Sequence, residues 1–340
     1  MAYPTRHNSR AFFLRTDIRA YVMTVGVDAL KVLILSLLLL PLISLAQNEE
    51  TGTPAAVRSD QLKEKRGLVY VAKSKKPYTG AVRDFHPNGQ KHHEGRYKDG
   101  KHDGLWTWWY ENGQVQDQGK YVTGSREDLW TFSHENGQLR YQGRYVNGYL
   151  DGPVTFWHPN GQKNADGIYD MGKSTGFRTE WHDNGQKHVE GNYVDDEQHG
   201  PMTSWHPNGQ RKSEGTWVNG EQDGPWTFWH EDGQKEAEGV WVSGKPNGLH
   251  TVWYENRQKR EEGHYLQGKW VGQWTWWHEN GQKRKEGNLV LGNRDGLWTM
   301  WHANGQKEFE GTYKKGREKR GAKWWDENGN KKKPEYAVKW

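Results

Sequence analysis

Cysteine is absent from all 340 residues, which excludes disulfides, thiolate metal sites, cysteine nucleophiles and lipid attachment through a thioether. Aliphatic residues are scarce after the first fifty positions, so no ordinary core of Leu, Ile and Val can be assembled there. No Gly-rich phosphate loop, no Ser/His/Asp motif and no N-glycosylation sequon stands out. What the chain has instead is 42 glycines, 21 tryptophans and 16 tyrosines. Apolar burial must therefore come from aromatic rings.

The formal charge of +5 is unevenly placed. Residues 1–46 carry five basic and two acidic side chains, and Lys314–Trp340 carries ten basic and four acidic ones, which leaves 47–313 mildly acidic. Nucleic-acid affinity scales with neutralised phosphates, so the middle of the chain does not suit a nucleic-acid partner. The basic end reads as a solvated tail.

The segment VLILSLLLLPLISLA (Val32–Ala46) follows Lys31 and precedes a polar stretch. It is short for a membrane span and right for the apolar region of a signal peptide. Ser44 and Ala46 are the small residues expected before a cut at Gln47, and a start at Met23 gives the leader an ordinary length. Residues 1–46 are thus expected to be an export signal, 47–67 a polar linker, 68–333 a repeat domain and 334–340 a tail. The expected location is secreted, periplasmic or outer-surface; the alternative is an uncleaved inner-membrane anchor.

Asn-Gly-Gln or a near variant recurs at Asn88, Asn112, Asn136, Asn160, Asn184, Asn208, Asp232, Asn256, Asn280, Asn304 and Asn328, always 24 residues apart. Counting that Asn as repeat position 1, the consensus is N-G-Q-K-x-x-E-G-x-Y-x-x-G-x-x-x-G-x-W-T-x-W-H-x. A half-repeat, YTGAVRDFHP (Tyr78–Pro87), comes first in the same register. Such periods mark solenoids or arrays. Each unit holds two runs of β-favouring residues between turn signals. The fold expected is all-β: an elongated antiparallel meander, or solenoid, of about eleven hairpin units and about 22 strands. The Asn-Gly pair is assigned a two-residue type I′ turn, and positions 11–16 a longer loop.

That register opposes position 8 with 19, 10 with 17 and 4 with 23. Glycine at 8 then lies across from tryptophan at 19, and glycine at 17 across from tyrosine at 10, so that rings cover glycines. Gly239, for example, is expected between Trp226 and His250. Alternation places positions 4, 6, 8, 10, 17, 19, 21 and 23 on one face and 5, 7, 18, 20, 22 and 24 on the other. Several units depart from the pattern, at Asp128, Ser133, Arg178, Asp196, Met202, Arg257 and Gly321.

The unit EGTWVNGEQDGPWTFWHEDGQK (Glu214–Lys235) and the opening YTGAVRDFHPNGQ resemble the variant MORN (membrane occupation and recognition nexus) repeat of bacterial proteins labelled YwqK-type antitoxins. The resemblance covers about residues 78–333. It implies a sheet of hairpins with a scaffolding or binding role and carries over no catalytic residue.

Three columns invite a chemical reading. His86, His134, His158, His182, His206, His230, His278 and His302 share position 23, but successive copies fall about 9.5 Å apart, too far for one metal ion. They are assigned to cross-strand pairing with Lys at position 4, as His278 with Lys283. Glutamates at position 7, such as Glu214 and Glu238, repeat without the asymmetric surroundings that acid/base catalysis requires. Neither an enzyme activity, a metal nor a cofactor is expected. The tryptophans at position 22, Trp109, Trp157, Trp181, Trp205, Trp229, Trp253, Trp277 and Trp301, form the candidate partner-binding face. Their expected partner is a protein; the alternatives are a glycan, a membrane surface, or a toxin neutralised by binding.

Overall fold

The computed structural model describes residues 55–333. The expected export signal and the C-terminal tail lie outside them. Among the described residues the order is a single 3-10 turn, Ser59–Gln61, followed only by strands, each antiparallel to its neighbour. A small hairpin, Leu62–Lys65 with Leu68–Val71, forms its own two-stranded sheet and is tied by Val69 N to Gly100 O at 2.9 Å to a long open meander that begins at Gly80–Phe85. Residues 55–65, within the stretch read as linker, thus carry a bridge, a turn and a strand. Val57 bridges Val82 in parallel and so covers the free edge of the first meander strand.

The period is a hairpin whose strands run from position 4 to 11 and from 14 to 22, as in Lys91–Lys98 and Lys101–Trp109. The two turn assignments are exchanged relative to expectation. The two-residue type I′ turn lies at positions 12 and 13, where both residues have positive φ, as in Asp99 (51°) and Gly100 (78°). At the Asn-Gly connection only the glycine does, as in Gly89 (84°). His86 N donates to Gln90 O at 2.8 Å and Gly89 N to His86 O at 2.9 Å, so Pro87-Asn88-Gly89 is a three-residue loop. The Asn does its work with its side chain, whose Oδ1 accepts from Gln90 N at 3.0 Å.

Two bulges set the faces. Within a hairpin, Arg96 pairs with Asp103 but Glu94 with Thr107, so two extra residues, at positions 17 and 18, are taken up opposite Gly95. Position 17 takes a left-handed backbone there, as in Gly104 (76°), and a Cβ on Gly104 would meet nothing. Gly104 does oppose Tyr121 of the next unit, as expected, but no ring covers it, and its glycine serves φ. Between units, Trp108 pairs with Asp117 but Trp109 with Val115, which leaves position 5 bulged. Position 4 consequently opposes position 22, not 23, and lies on the face opposite to the one expected.

Glycine at position 8 behaves as expected. Gly239 pairs with Trp226 on one side and His250 on the other. A Cβ on Gly95, Gly119, Gly215, Gly263 or Gly287 would fall inside the indole of the tryptophan eleven residues later. That indole donates Nε1–H to the carbonyl at position 9, as Trp106 to Arg96 O at 3.0 Å and Trp274 to His264 O at 3.1 Å.

Tryptophans at position 19 thus fill one face, Trp130 and Trp274 being fully buried. Neighbouring rings pack along the sheet, Trp274 stacked on Trp276 at 5.5 Å and Trp276 tilted against Trp298 at 5.9 Å. Position 15 closes over them: His102 on Trp106 (4.2 Å), Arg126 on Trp130 (4.5 Å), Trp270 on Trp274 (5.3 Å) and Arg294 on Trp298 (4.6 Å). A glycine beneath, aromatics beside and a flat side chain above let one sheet bury indoles without a second layer.

Candidate binding face

The opposite face carries positions 4, 7, 9, 18, 20 and 22. All eight tryptophans named from the sequence lie on it, each half-buried. The displaced lysine at position 4 organises them. Lys163 is the register partner of Trp157 and lies 4.8 Å over the ring of Trp181. Lys187 in turn pairs with Trp181 and lies 5.4 Å over Trp205. Farther along, Lys235, Lys259, Lys283 and Lys307 continue the alternation from Trp229 to Trp325. The face is a ladder of ammonium groups between indoles. Trp325, which lies in an irregular unit and is not among the eight tryptophans expected on this face, is its last rung; it stands 21 residues after Asn304.

Each of these lysines also meets the acid three residues later, Lys187 with Glu190 at 2.6 Å and Lys283 with Glu286 at 2.6 Å. Their Lys and Glu side chains remain substantially exposed, so these ion pairs orient the ammonium more than they stabilise the fold. Where the acid is Glu94 or Glu310, the lysine holds its carboxyl below the usual range. The glutamate column is thereby committed to holding lysines on indoles. Threonines at position 20, such as Thr107 and Thr251, are buried between these rows.

The histidines at position 23 do not pair with position 4. His278 Nε2 donates instead to Trp301 O at 2.8 Å, and His86, His134, His158, His182, His206 and His302 do the same one unit ahead at 2.8–3.1 Å, with His230 at 3.4 Å. A carbonyl only accepts, so Nε2 carries the proton. Where tyrosine replaces histidine, its hydroxyl serves: Tyr110 donates to Ser133 O and Tyr254 to Trp277 O. The Asn at position 1 adds a second link, as Asn280 Nδ2 to Ala303 O at 2.6 Å. These columns tie consecutive turns together.

What the face leaves uncovered is a row at position 18, where Leu105, Leu129, Phe177, Leu249 and Leu297 are 49–62% exposed. The row is interrupted by Pro153, Pro201, Pro225 and Gln273 at the same position.

Seven segments of the chain, residues 78–99, 103–122, 129–147, 198–219, 222–242, 270–290 and 294–315, match the MORN repeat variant. No curated protein matches the sequence. Among solved structures, the TcdB2-TccC3-Cdc42 complex is 12% identical over 74% of this chain and 14% of that one, with a TM-score of 0.16. A Photorhabdus luminescens Tc holotoxin pore is 9% identical over 72% and 16%, with a TM-score of 0.17. The chain spans about a seventh of the length of these chains, and superpositions this poor say nothing of shared function.

Proposed function

We propose that this chain, a carrier of MORN-variant repeats, is an exported, non-catalytic scaffold that binds a protein partner in the cell envelope or outside the cell. The observation that carries the reading is the row at position 18. Large apolar side chains stand exposed at position 18 of five units, on a face otherwise built of half-buried indoles and ion pairs, a composition that suits a protein-docking surface. Export rests on the apolar segment Val32–Ala46.

Glycan or lipid binding by the position-22 tryptophans is the rival. Sugars stack on open ring faces, and here lysines lie over seven of these rings at 4.8–5.9 Å. The antitoxin role implied by the finer resemblance requires an intact protein inside the cell.

Photo-crosslinking residues at Leu249 and Leu297, in cells expressing the protein at native level, should yield a discrete protein adduct that the same residue at Arg284 does not. Fractionation and the mass of the mature N-terminus should place that adduct outside the cytoplasm, with a chain beginning near Gln47. Adducts only to lipid or glycan, or an uncleaved cytoplasmic chain, would each overturn the reading.

A further inference from the structure

Two positions of the repeat vary together. An acid at position 21 occurs only as Asp84 and Glu180, and a histidine at position 5 only as His92 and His188, eight residues after each acid. Position 21 elsewhere carries rings, serine, valine or methionine, so an acid there is out of keeping with the face it belongs to.

The bulge explains how the two residues meet. Asp84 pairs with His93 and Phe85 with Lys91, leaving His92 as the extra residue. A bulged residue and its successor escape the alternation of a regular strand. His92 and His93, consecutive in sequence, accordingly turn to the same place, ring centres 4.9 Å apart and Nδ1 atoms 3.3 Å apart. One ligand atom from each of Asp84, His92 and His93 lies within 4.8 Å of the other two. Ligands held about 2.0–2.1 Å from a tetrahedral zinc ion sit about 3.3 Å from one another.

The surroundings orient the donors. His93 Nε2 lies 2.9 Å from Ser59 Oγ, while its Nδ1 is the nitrogen beside His92. A hydrogen bond on the ring nitrogen away from the cluster is the outer-shell arrangement that orients a metal-binding histidine. The His86 ring lies against His92 at 4.6 Å, its own Nε2 engaged by Trp109 O.

We infer that Asp84, His92 and His93 form a binding site for one divalent transition ion of the zinc class, with a fourth position open to solvent. Two imidazoles and a carboxylate favour Zn²⁺, Co²⁺, Ni²⁺ or Cu²⁺ over Mg²⁺ or Ca²⁺. The ion would fasten the first two meander strands to each other and, through Ser59, to the segment that covers the sheet edge. The second acid and histidine pair does not complete a site: Val189 stands in place of His93, and Glu180 already accepts from Arg178 Nε at 2.9 Å.

The test is calorimetric titration of Zn²⁺ into tag-free, chelator-stripped full chain, with Co²⁺ absorption as a second readout and far-UV circular dichroism as a check on folding. One ion per chain should bind and raise the melting temperature. His92→Ala and Asp84→Asn should each weaken binding at least about tenfold; His92 is exposed, so its replacement leaves the fold intact. His188→Ala should bind as the parent does. Absence of binding, affinity unchanged in His92→Ala, or an equal loss in His188→Ala would overturn the assignment.

Discussion

The indole of Trp274 lies flat on Gly263 and donates its Nε1–H to the next carbonyl, that of His264, at 3.1 Å. Gly263 is there for the space its missing side chain leaves. Gly272 is there for a backbone φ of +72° and faces open space. Gly263→Ala must displace a fully buried ring and should cost about 3 kcal/mol, the upper part of the overpacking range. Gly272→Ala meets only the left-handed penalty, about 1–2 kcal/mol. Chemical denaturation of the two variants measures the difference, and equal losses would contradict this division of roles.

Three units place another residue where the repeat has a left-handed glycine: Asp128 (60°), Asp196 (73°) and Arg257 (69°). Arg257→Gly should stabilise the protein by about 1 kcal/mol, since its conformational strain is relieved. Asp128→Gly should gain less, because Lys120 Nζ lies 3.4 Å from its carboxylate. A rise in denaturation midpoint reads both.

Asp232 is the one turn residue of its column that cannot donate to the following unit. Asn88, Asn112, Asn136, Asn160, Asn184, Asn208, Asn256, Asn280 and Asn304 all do, at 2.5–2.7 Å. Asp232→Asn should supply the missing bond to Glu255 O and add about 0.5–1.5 kcal/mol. Slower hydrogen exchange near Glu255 would mark it as the cause.

His250 replaces a core tryptophan, and its Nδ1 is buried without a partner. Burial holds its pKa below the ordinary 6.5, with Glu261 opposing. The unfolded chain then takes up a proton at higher pH than the folded one. Stability is full above pH 6.5 and declines as pH falls below it toward the lowered folded value. His102, shifted downward for the same reason, adds to the slope. His250→Trp should raise stability at neutral pH and flatten this decline; an unchanged pH profile would show that His250 is not its source.

Much of this was legible in the chain. The period, the hairpins, the Trp226–Gly239–His250 register and the face of Trp274 all follow from alternation and the glycine columns. The two turns are exchanged relative to expectation because Asn-Gly suits two loops: in the type I′ turn Asn enters the left-handed region, whereas here it stays out and its side chain closes the loop. Position 12 gave no cue, since residues as unlike as Met171, Leu291 and Lys315 occupy it. In the expected assignment position 15 falls in a loop, and nothing in the sequence marks Arg126 and Arg294 as lids. The bulge at position 5 leaves no residue signature either, and it alone moves Lys283 to the tryptophan side and brings His92 beside His93.

The side-chain links between Asn-Gly turns all point one way. His302 and Asn304 reach forward to Trp325 and Glu327, while Asp326 spends its carboxylate on Asn328 and Asn330 of its own turn. Every earlier turn is thus held by its successor, and the last holds itself. The array has a built-in polarity, like tiles each pinned under the next, and loss of the final unit loosens the one before it.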